Sequence, residues 1–412
     1  MNILLINHYA GSPLHGMEFR PYFMAREWVQ MGHRVEIVAA SVSHVRAQQP
    51  DLQGQPEQVQ VIDGITYRWL QAPTYRGNGL GRLRNIATFL LRVWARAGRW
   101  VREFQPDCVV ASSTYPMDTW VAQHIARQAG CPWVYEVHDL WPQSLIELSG
   151  MSPHHPFARL CGWAERWAYR NADRVVSMLP KVHAHMAARG LNLKRLCIVP
   201  NGVALQAWED PPQALREDVA QVLAAARQQG HQVVGYAGSM GLPNALDTLL
   251  DAAALLRGQP IRFILLGQGH ERERLRQRAL REGLGHVHLL EPVPKAQIPT
   301  FLREIDVAYI GWQRVPLYRF GIAPNKLMDY MMAACVVLHS VEAGNDPVAE
   351  SGCGLTVPPA DPPAVAQGLQ TLLALPESDR RSMGQAGRRF VEAHHSYAVL
   401  ARRFLDNLKN GV

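Results

Sequence analysis

Short apolar runs alternate along this chain with longer stretches in which apolar residues return every three or four positions. Runs at 2–7, 34–39, 108–112, 133–137, 174–178 and 196–199 predict strands, and the stretches between them amphipathic helices. After Pro200-Asn201-Gly202 the chain turns polar and rich in Pro, Ala and Gln to about residue 230, as expected of an interdomain crossing. The alternation then starts afresh, with strands expected at 232–237, 262–267, 286–290, 306–310, 336–339 and 354–357. Alternation of this kind builds parallel sheets covered by helices. The pattern therefore predicts an α/β fold of two Rossmann-like, doubly wound domains over residues 1–203 and 204–392, facing each other across a cleft. A last helix at 393–412 is expected to return to the first domain.

Two local patterns depart from that rhythm. At 60–67, Asp63-Gly64 separates two short β-like runs, which predicts a hairpin. From 81 to 104, Leu83, Ile86, Phe89, Leu90, Val93, Trp94, Ala97, Trp100 and Val101 share one helical arc, and Arg84, Arg92, Arg96, Arg99 and Arg102 share the other. A domain helix with solvated arginines accounts for this. Beside the pliant stretch from Tyr75 to Gly79, the arginines of 82–102 also suit an anionic membrane surface.

With 412 residues, the chain is too long for one ordinary core and comfortable for two. Apolar residues make up 48% and charged residues 19%, a globular balance, and no apolar run reaches the roughly 18 residues that cross a bilayer. The opening residues 1–7 lack a basic flank and cleavage site, so export is not expected and the cytoplasm is. The six cysteines show no Cys-x-x-Cys spacing and read as reduced core residues, and the 17 histidines form no metal-binding spacing, so no metal is expected. A net charge of +7 calls for an anionic partner. Nucleic acid ranks last, because no helix-turn-helix, zinc or aromatic single-strand motif is present.

Four segments converge on one family: residues 32–35 (Gly-His-Arg-Val), 135–142 (Tyr-Glu-Val-His-Asp-Leu-Trp-Pro), 200–203 (Pro-Asn-Gly-Val) and 324–331 (Pro-Asn-Lys-Leu-Met-Asp-Tyr-Met). Together they resemble the family 4 retaining glycosyltransferases of GT-B fold over essentially the whole chain. Residues 15–21, Gly238-Ser239 with 244–247, and 344–348 resemble the branch of bacterial fucosaminyltransferases in O-antigen, capsule and exopolysaccharide assembly. The resemblance implies transfer of a sugar, such as the N-acetylated L-FucNAc, from a nucleotide-sugar, UDP-linked, to a lipid-linked saccharide. It would do so at the inner face of the plasma membrane without a cofactor.

The same motifs imply a site. Asn325 is expected to cap a helix starting near Lys326, so that free amides around Ile322, Ala323, Pro324 and Asn325 seat a diphosphate. Asp329, one turn inside, matches the second acidic residue of the family's pair and would hold the ribose. The first acidic residue is missing, since Tyr318 and Arg319 precede Phe320-Gly321, and so is the family's Arg/Lys pair after the first strand of the second domain, where Gly238, Ser239 and Asn244 stand. Lys326 is the expected substitute, because leaving-group charge must be met by a cation. Gly267, Pro292 and Val293 are expected near the base. In the first domain, His138 at a strand's carboxyl end matches a histidine that touches the donor sugar. Gly16 would allow close substrate approach, and Glu18, Arg20 and Asp139 would meet the acceptor, with Glu18 as a base.

Two other chemistries compete. A nucleotide-sugar epimerase of the same fold would use a similar cleft without an acceptor. A nicotinamide-dependent dehydrogenase needs a full glycine fingerprint, but Gly267-Gln268-Gly269 is followed by Arg272 where the third glycine belongs.

Overall fold

A computed structural model of the protein describes residues 1–16, 19–77, 79–209, 211 and 213–409. It divides into two units, Met1–Asn201 with Tyr397–Val412, and Gly202–Ser396.

The first unit is built on β1 (Asn2–Ile6), β2 (Arg34–Ala40), β3 (Glu57–Ile62), β4 (Ile65–Leu70), β5 (Cys108–Ala111), β6 (Trp133–Val137), β7 (Arg174–Ser177) and β8 (Leu196–Ile198). Their order is β3-β4-β2-β1-β5-β6-β7-β8, parallel except for the β3–β4 hairpin. Ile3, Leu4, Leu5 and Ile6 of β1 are wholly buried, because helices cover both faces of a parallel sheet. The hairpin turns at Asp63 and Gly64, both left-handed, and is part of the main sheet because β4 pairs in parallel with β2. The closing helix Tyr397–Lys409 belongs to this unit. Phe404 packs at 5.0 Å from Trp28, whose indole donates to the Ala401 carbonyl.

The second unit repeats the plan with β9 (Gln232–Ala237), β10 (Ile261–Leu266), β11 (Val287–Leu290), β12 (Val307–Gly311), β13 (Val337–Ser340) and β14 (Gly354–Val357). Its order, β11-β10-β9-β12-β13-β14, is parallel throughout. The chain leaves β9 toward β10 and β11, then returns to β9's other side with β12. The loops after β9 and β12 therefore diverge at one switch point on the carboxyl edge, where open α/β sheets bind ligands.

The helix Leu80–Phe104 corrects one expectation. Its buried stripe is Ile86, Phe89, Val93, Ala97, Trp100 and Phe104, whereas Trp94 is 49% exposed. Of the five arginines on the other arc, three are engaged at or beside the hairpin. Arg96 and Arg99 bind Glu57, and Arg92 donates to Gln71 and the Pro56 carbonyl. The physical cause is local: the carboxylate of Glu57 at the start of β3 pairs with Arg96 and Arg99, while Arg84 and Arg102 stay exposed.

Among the described residues, no helix is long and apolar enough to cross a membrane, and no group of three His, Cys, Asp or Glu side chains is placed to hold a metal ion.

Candidate active site

At the switch point of the second sheet, three loops lock together around one lysine. The loop after β9 hydrogen-bonds to the β10 edge, Gly238 N to the Leu266 carbonyl at 3.0 Å and Met240 N to Gln268 at 2.8 Å. Approach is so close that a Cβ on Gly267 would sit 1.9 Å from the Gly238 oxygen, so glycine is required there by its own neighbour. Tyr236, near the end of β9, donates its hydroxyl to the Ser239 carbonyl at 2.5 Å and receives a hydrogen bond from Lys326 Nζ at 2.9 Å. Lys326 Nζ also donates to Asn244 Oδ1 and lies 4.8 Å above the Tyr236 ring.

The partners of Lys326 among the described residues are thus a phenol, an amide and a π-face, with no carboxylate. Burial pushes its ammonium down to about 8. A cation half-removed from water without an anion is costly, a cost that an arriving anion would offset. The helix Asn325–Met332 points the same way. Its cap residue is Pro324, and no side chain caps the helix, leaving first-turn amides for an incoming acceptor. This corrects Asn325, which is exposed as the first helical residue and not the cap, because Pro324 holds the extended conformation a cap requires.

The approach to that helix is held by a residue outside the expected site. Asn345 Oδ1 accepts from Ile322 N at 2.7 Å while its amide donates to the Ile322 carbonyl at 3.1 Å. Ile322 is buried and Ala323 half-buried. Asp329, one turn on, is half-buried, and burial pushes its carboxyl up to about 6, partly offset by Lys295. Around β11 the picture differs. The Pro292 carbonyl is taken by Arg216 at 2.8 Å, and the Val293 side chain packs on the core. The structure thus brings Gly238, Ser239, Asn244 and Lys326 into one hydrogen-bonded cluster, with Asn325 and Asp329 on the lysine's own helix.

The first domain carries a second cluster at the carboxyl edge of its sheet. Glu136 sits in β6, whose five residues are all buried. Arg20 Nη2 meets its carboxylate at 2.9 Å, with side chains 5% and 3% exposed, and Ser112 Oγ donates to it at 2.6 Å. His138 Nε2 lies 2.9 Å from Ser112 Oγ and 3.2 Å from Glu136 Oε2. Ser112 spends its proton on Glu136, so the shared hydrogen bond requires a proton on His138 Nε2, which leaves Nδ1 as the ring's acceptor when neutral. Burial by itself would push the Glu136 carboxyl up, but Arg20, His138 and Ser112 hold it well below the usual carboxylate range.

Arg20 therefore does not stand open to an acceptor. Its remaining donors go to the Val199 and Pro200 carbonyls, because an uncompensated Glu136 in this strand would be prohibitive. Gly16 is likewise explained from within: it is left-handed, and a Cβ would come 2.9 Å from that of Ala47. Asp139 is exposed, its carbonyl accepting from Trp141 N in a turn. Glu18 lies outside the described residues. Sequence reasoning missed Tyr236, Asn345, Ser112 and Glu136. Glu136 left a readable signal, a charge among four apolar residues of a buried strand, and Asn345 another, its place in the motif at 344–348.

The two domains match known families in turn. Residues 15–202 fit the Glycosyl transferase 4-like domain, and residues 231–375 fit Glycosyl transferases group 1. The chain is a glycosyltransferase. Its relatives include the probable glycosyltransferase WbjE of Pseudomonas aeruginosa, 24% identical over 330 residues, covering 79% of this chain and 78% of that one. The putative colanic acid biosynthesis glycosyl transferase WcaI of Escherichia coli K12 is 21% identical, covering 75% of each chain. Among solved structures, Anabaena HepE in complex with UDP and glucose superposes on the transferase with a TM-score of 0.68 at 17% identity, covering 99% of each chain. The two parallel-sheet domains of this transferase are those of the GT-B fold.

Proposed function

We propose that the protein transfers a sugar from a UDP-linked donor, with retention of configuration, to a lipid-linked saccharide during surface polysaccharide assembly. The observation that carries this reading is Lys326, a half-buried ammonium with neutral partners at the start of an uncapped helix. A diphosphate supplies the missing charge, with one end on Lys326 and the helix amides and the ribose hydroxyls accepted by Asp329. HepE, crystallised with UDP, favours uridine, and the name of WcaI favours polysaccharide assembly. The sequence resemblance names an N-acetylated amino sugar such as L-FucNAc.

Retention follows from front-face transfer. The bond from the anomeric carbon to the diphosphate oxygen breaks, the bond to the acceptor oxygen forms on the same face, and the acceptor proton passes to the departing diphosphate. Lys326 stabilises charge that grows on the leaving group, the largest kind of contribution an active site makes. His138, held by Glu136 and Ser112, is the first domain's candidate for sugar contacts, and Asp139 and Glu18 are the remaining candidates for acceptor contacts. Both family profiles describe transferases, which leaves the epimerase reading without support.

The test supplies UDP-sugars, including UDP-L-FucNAc, with undecaprenyl-diphosphate saccharides and follows the product by mass and anomeric coupling. The expected product keeps the donor's anomeric configuration, and Lys326→Ala lowers turnover by about a hundredfold or more. An epimerised nucleotide-sugar formed without acceptor, or near-normal turnover in Lys326→Ala, overturns the reading.

A further inference from the structure

One buried cation of the first domain has no anion. Arg46, in the loop that follows β2, is 5% exposed and lies 5.0 Å from the centre of the Trp69 ring. Its Nη2 donates to the Ala40 carbonyl, while Nε and Nη1 are buried and have no partner among the described residues. Burial lowers its guanidinium to about 10, offset only by the phenols of Tyr75 and Tyr67, so it stays charged at neutral pH. A guanidinium withdrawn from water with two donor groups unspent is costly, and one indole face returns only part of that cost.

The surroundings add positive charge and no acid to Arg46. Arg82, in the first turn of the helix Leu80–Phe104, donates Nη2 to Tyr9 Oη at 3.1 Å and lies 5.5 Å from that ring. His44, two residues before Arg46 and exposed, holds Nδ1 2.8 Å from Tyr75 Oη. His8, just past β1, is wholly buried. Burial foremost, with Arg46, Arg82 and His44 adding to it, holds His8 down to about 3, so this neutral ring has three basic side chains within electrostatic reach. All of them stand in the segments that leave the carboxyl ends of β1, β2 and β4, the edge at which α/β sheets bind ligands.

The segment that carries Arg46 is fastened chiefly to itself. Gln49 Oε1 accepts from Ser43 N at 2.9 Å, and Gln49 Nε2 donates to the Ser43 carbonyl at 2.7 Å and the Arg46 carbonyl at 3.3 Å. Its other side chains, His44, Ala47, Gln48 and Gln49 among them, are exposed. Arg46 can therefore meet an anion by a shift of this segment that leaves the paired strands in register. Two guanidinium groups and an imidazole beside phenols fit a group with two charges and several acceptor oxygens. A phosphoryl group has both, and a single carboxylate does not.

We infer that Arg46, with Arg82, His44 and Tyr75, forms a second anion seat, in the first domain, for the phosphoryl group of an acceptor joined to its lipid through phosphate. The seat stands on this geometry alone. Giving it to the acceptor rests on the transfer reaction proposed above.

Inorganic pyrophosphate is titrated calorimetrically into the full chain and into its Lys326→Met and Arg46→Met variants. Binding is expected to survive Lys326→Met and to weaken by about tenfold or more in Arg46→Met, whose ligand-free form unfolds no earlier than the parent. Should Arg46→Met fail to fold, His44→Ala with Tyr75→Phe is expected to weaken the same binding severalfold. In the transfer assay, Arg46→Met should raise KM for an undecaprenyl-diphosphate saccharide by about tenfold and leave KM unchanged for the same saccharide on a neutral alkyl chain. Pyrophosphate binding that ignores these substitutions overturns the seat. Binding that depends on Arg46 while KM for the diphosphate acceptor stays as in the parent gives the seat to free phosphate and overturns the assignment to the acceptor, as does an equal rise in KM for both acceptors. If the parent transfers no sugar at all, the donor reading fails, and the pyrophosphate titration still decides the seat.

Discussion

The two charged clusters at the carboxyl edges of the two sheets are built in opposite ways. In the first domain Glu136 is buried but fully answered by Arg20, Ser112 and His138. In the second, Lys326 is withdrawn from water and answered by neutral groups only. A satisfied buried charge is a structural part, whose work is to hold His138 in one tautomer. An unsatisfied one is a standing cost that a ligand relieves. On the proposed function the distinction leaves Arg20 to the frame and gives Lys326 to the substrate, although both are basic residues in conspicuous motifs.

The largest effect that would break this contrast is on stability. Arg20→Met strands the Glu136 carboxylate and should cost about 3–5 kcal/mol in denaturant unfolding of the first domain. Lys326→Met removes a cation that had no anion, so the ligand-free protein should be as stable or more so, while stabilisation by added UDP disappears. Equal destabilisation by both substitutions would erase the difference between the clusters.

A smaller effect comes from pH. Burial raises Asp329 to about 6 and lowers Lys326 to about 8 in the ligand-free protein. For stability, ionising Asp329 costs as pH rises through about 6, and the cost of charged Lys326 is recovered only as pH rises above about 8. On the proposed function binding runs the other way, since a UDP-sugar, whose diphosphate does not titrate in this range, would be held by both groups in their charged forms. UDP-sugar affinity measured calorimetrically should therefore be highest between about 6 and 8 and decline on either side, approaching tenfold per pH unit. Asp329→Asn should flatten the acid limb, and a flat profile in the parent would remove these groups from the site.

The smallest effect sharpens the site's edge. Asn345→Ala removes two hydrogen bonds to Ile322 and should weaken UDP binding by about fivefold, near 1 kcal/mol, with the fold intact. No change in affinity would detach that loop from the diphosphate.

Much of this was legible in the chain. The strand pattern located both sheets, because strands buried on both faces must be apolar runs, and the turn at Asp63-Gly64 announced its hairpin. Asp329 was singled out by the resemblance of 324–331 to the family's motif, and Lys326 as the substitute for the missing Arg/Lys pair at the start of that helix. Other assignments failed for a common reason. Asn325 looked like a cap until Pro324 proved to hold that place, and Arg20, Arg96 and Arg99 looked free until Glu136 and Glu57 were found opposite them.

Periodicity and local motif are properties of neighbours along the chain, and by themselves they determined the α/β repeat, the helix that bears Lys326 and the glycosyltransferase resemblance. Which charges are spent and which wait is settled by partners such as Glu136, 116 residues from Arg20, and Tyr236, 90 residues from Lys326. Only the tertiary structure brings those together, because burial and charge neutralisation depend on distance in space.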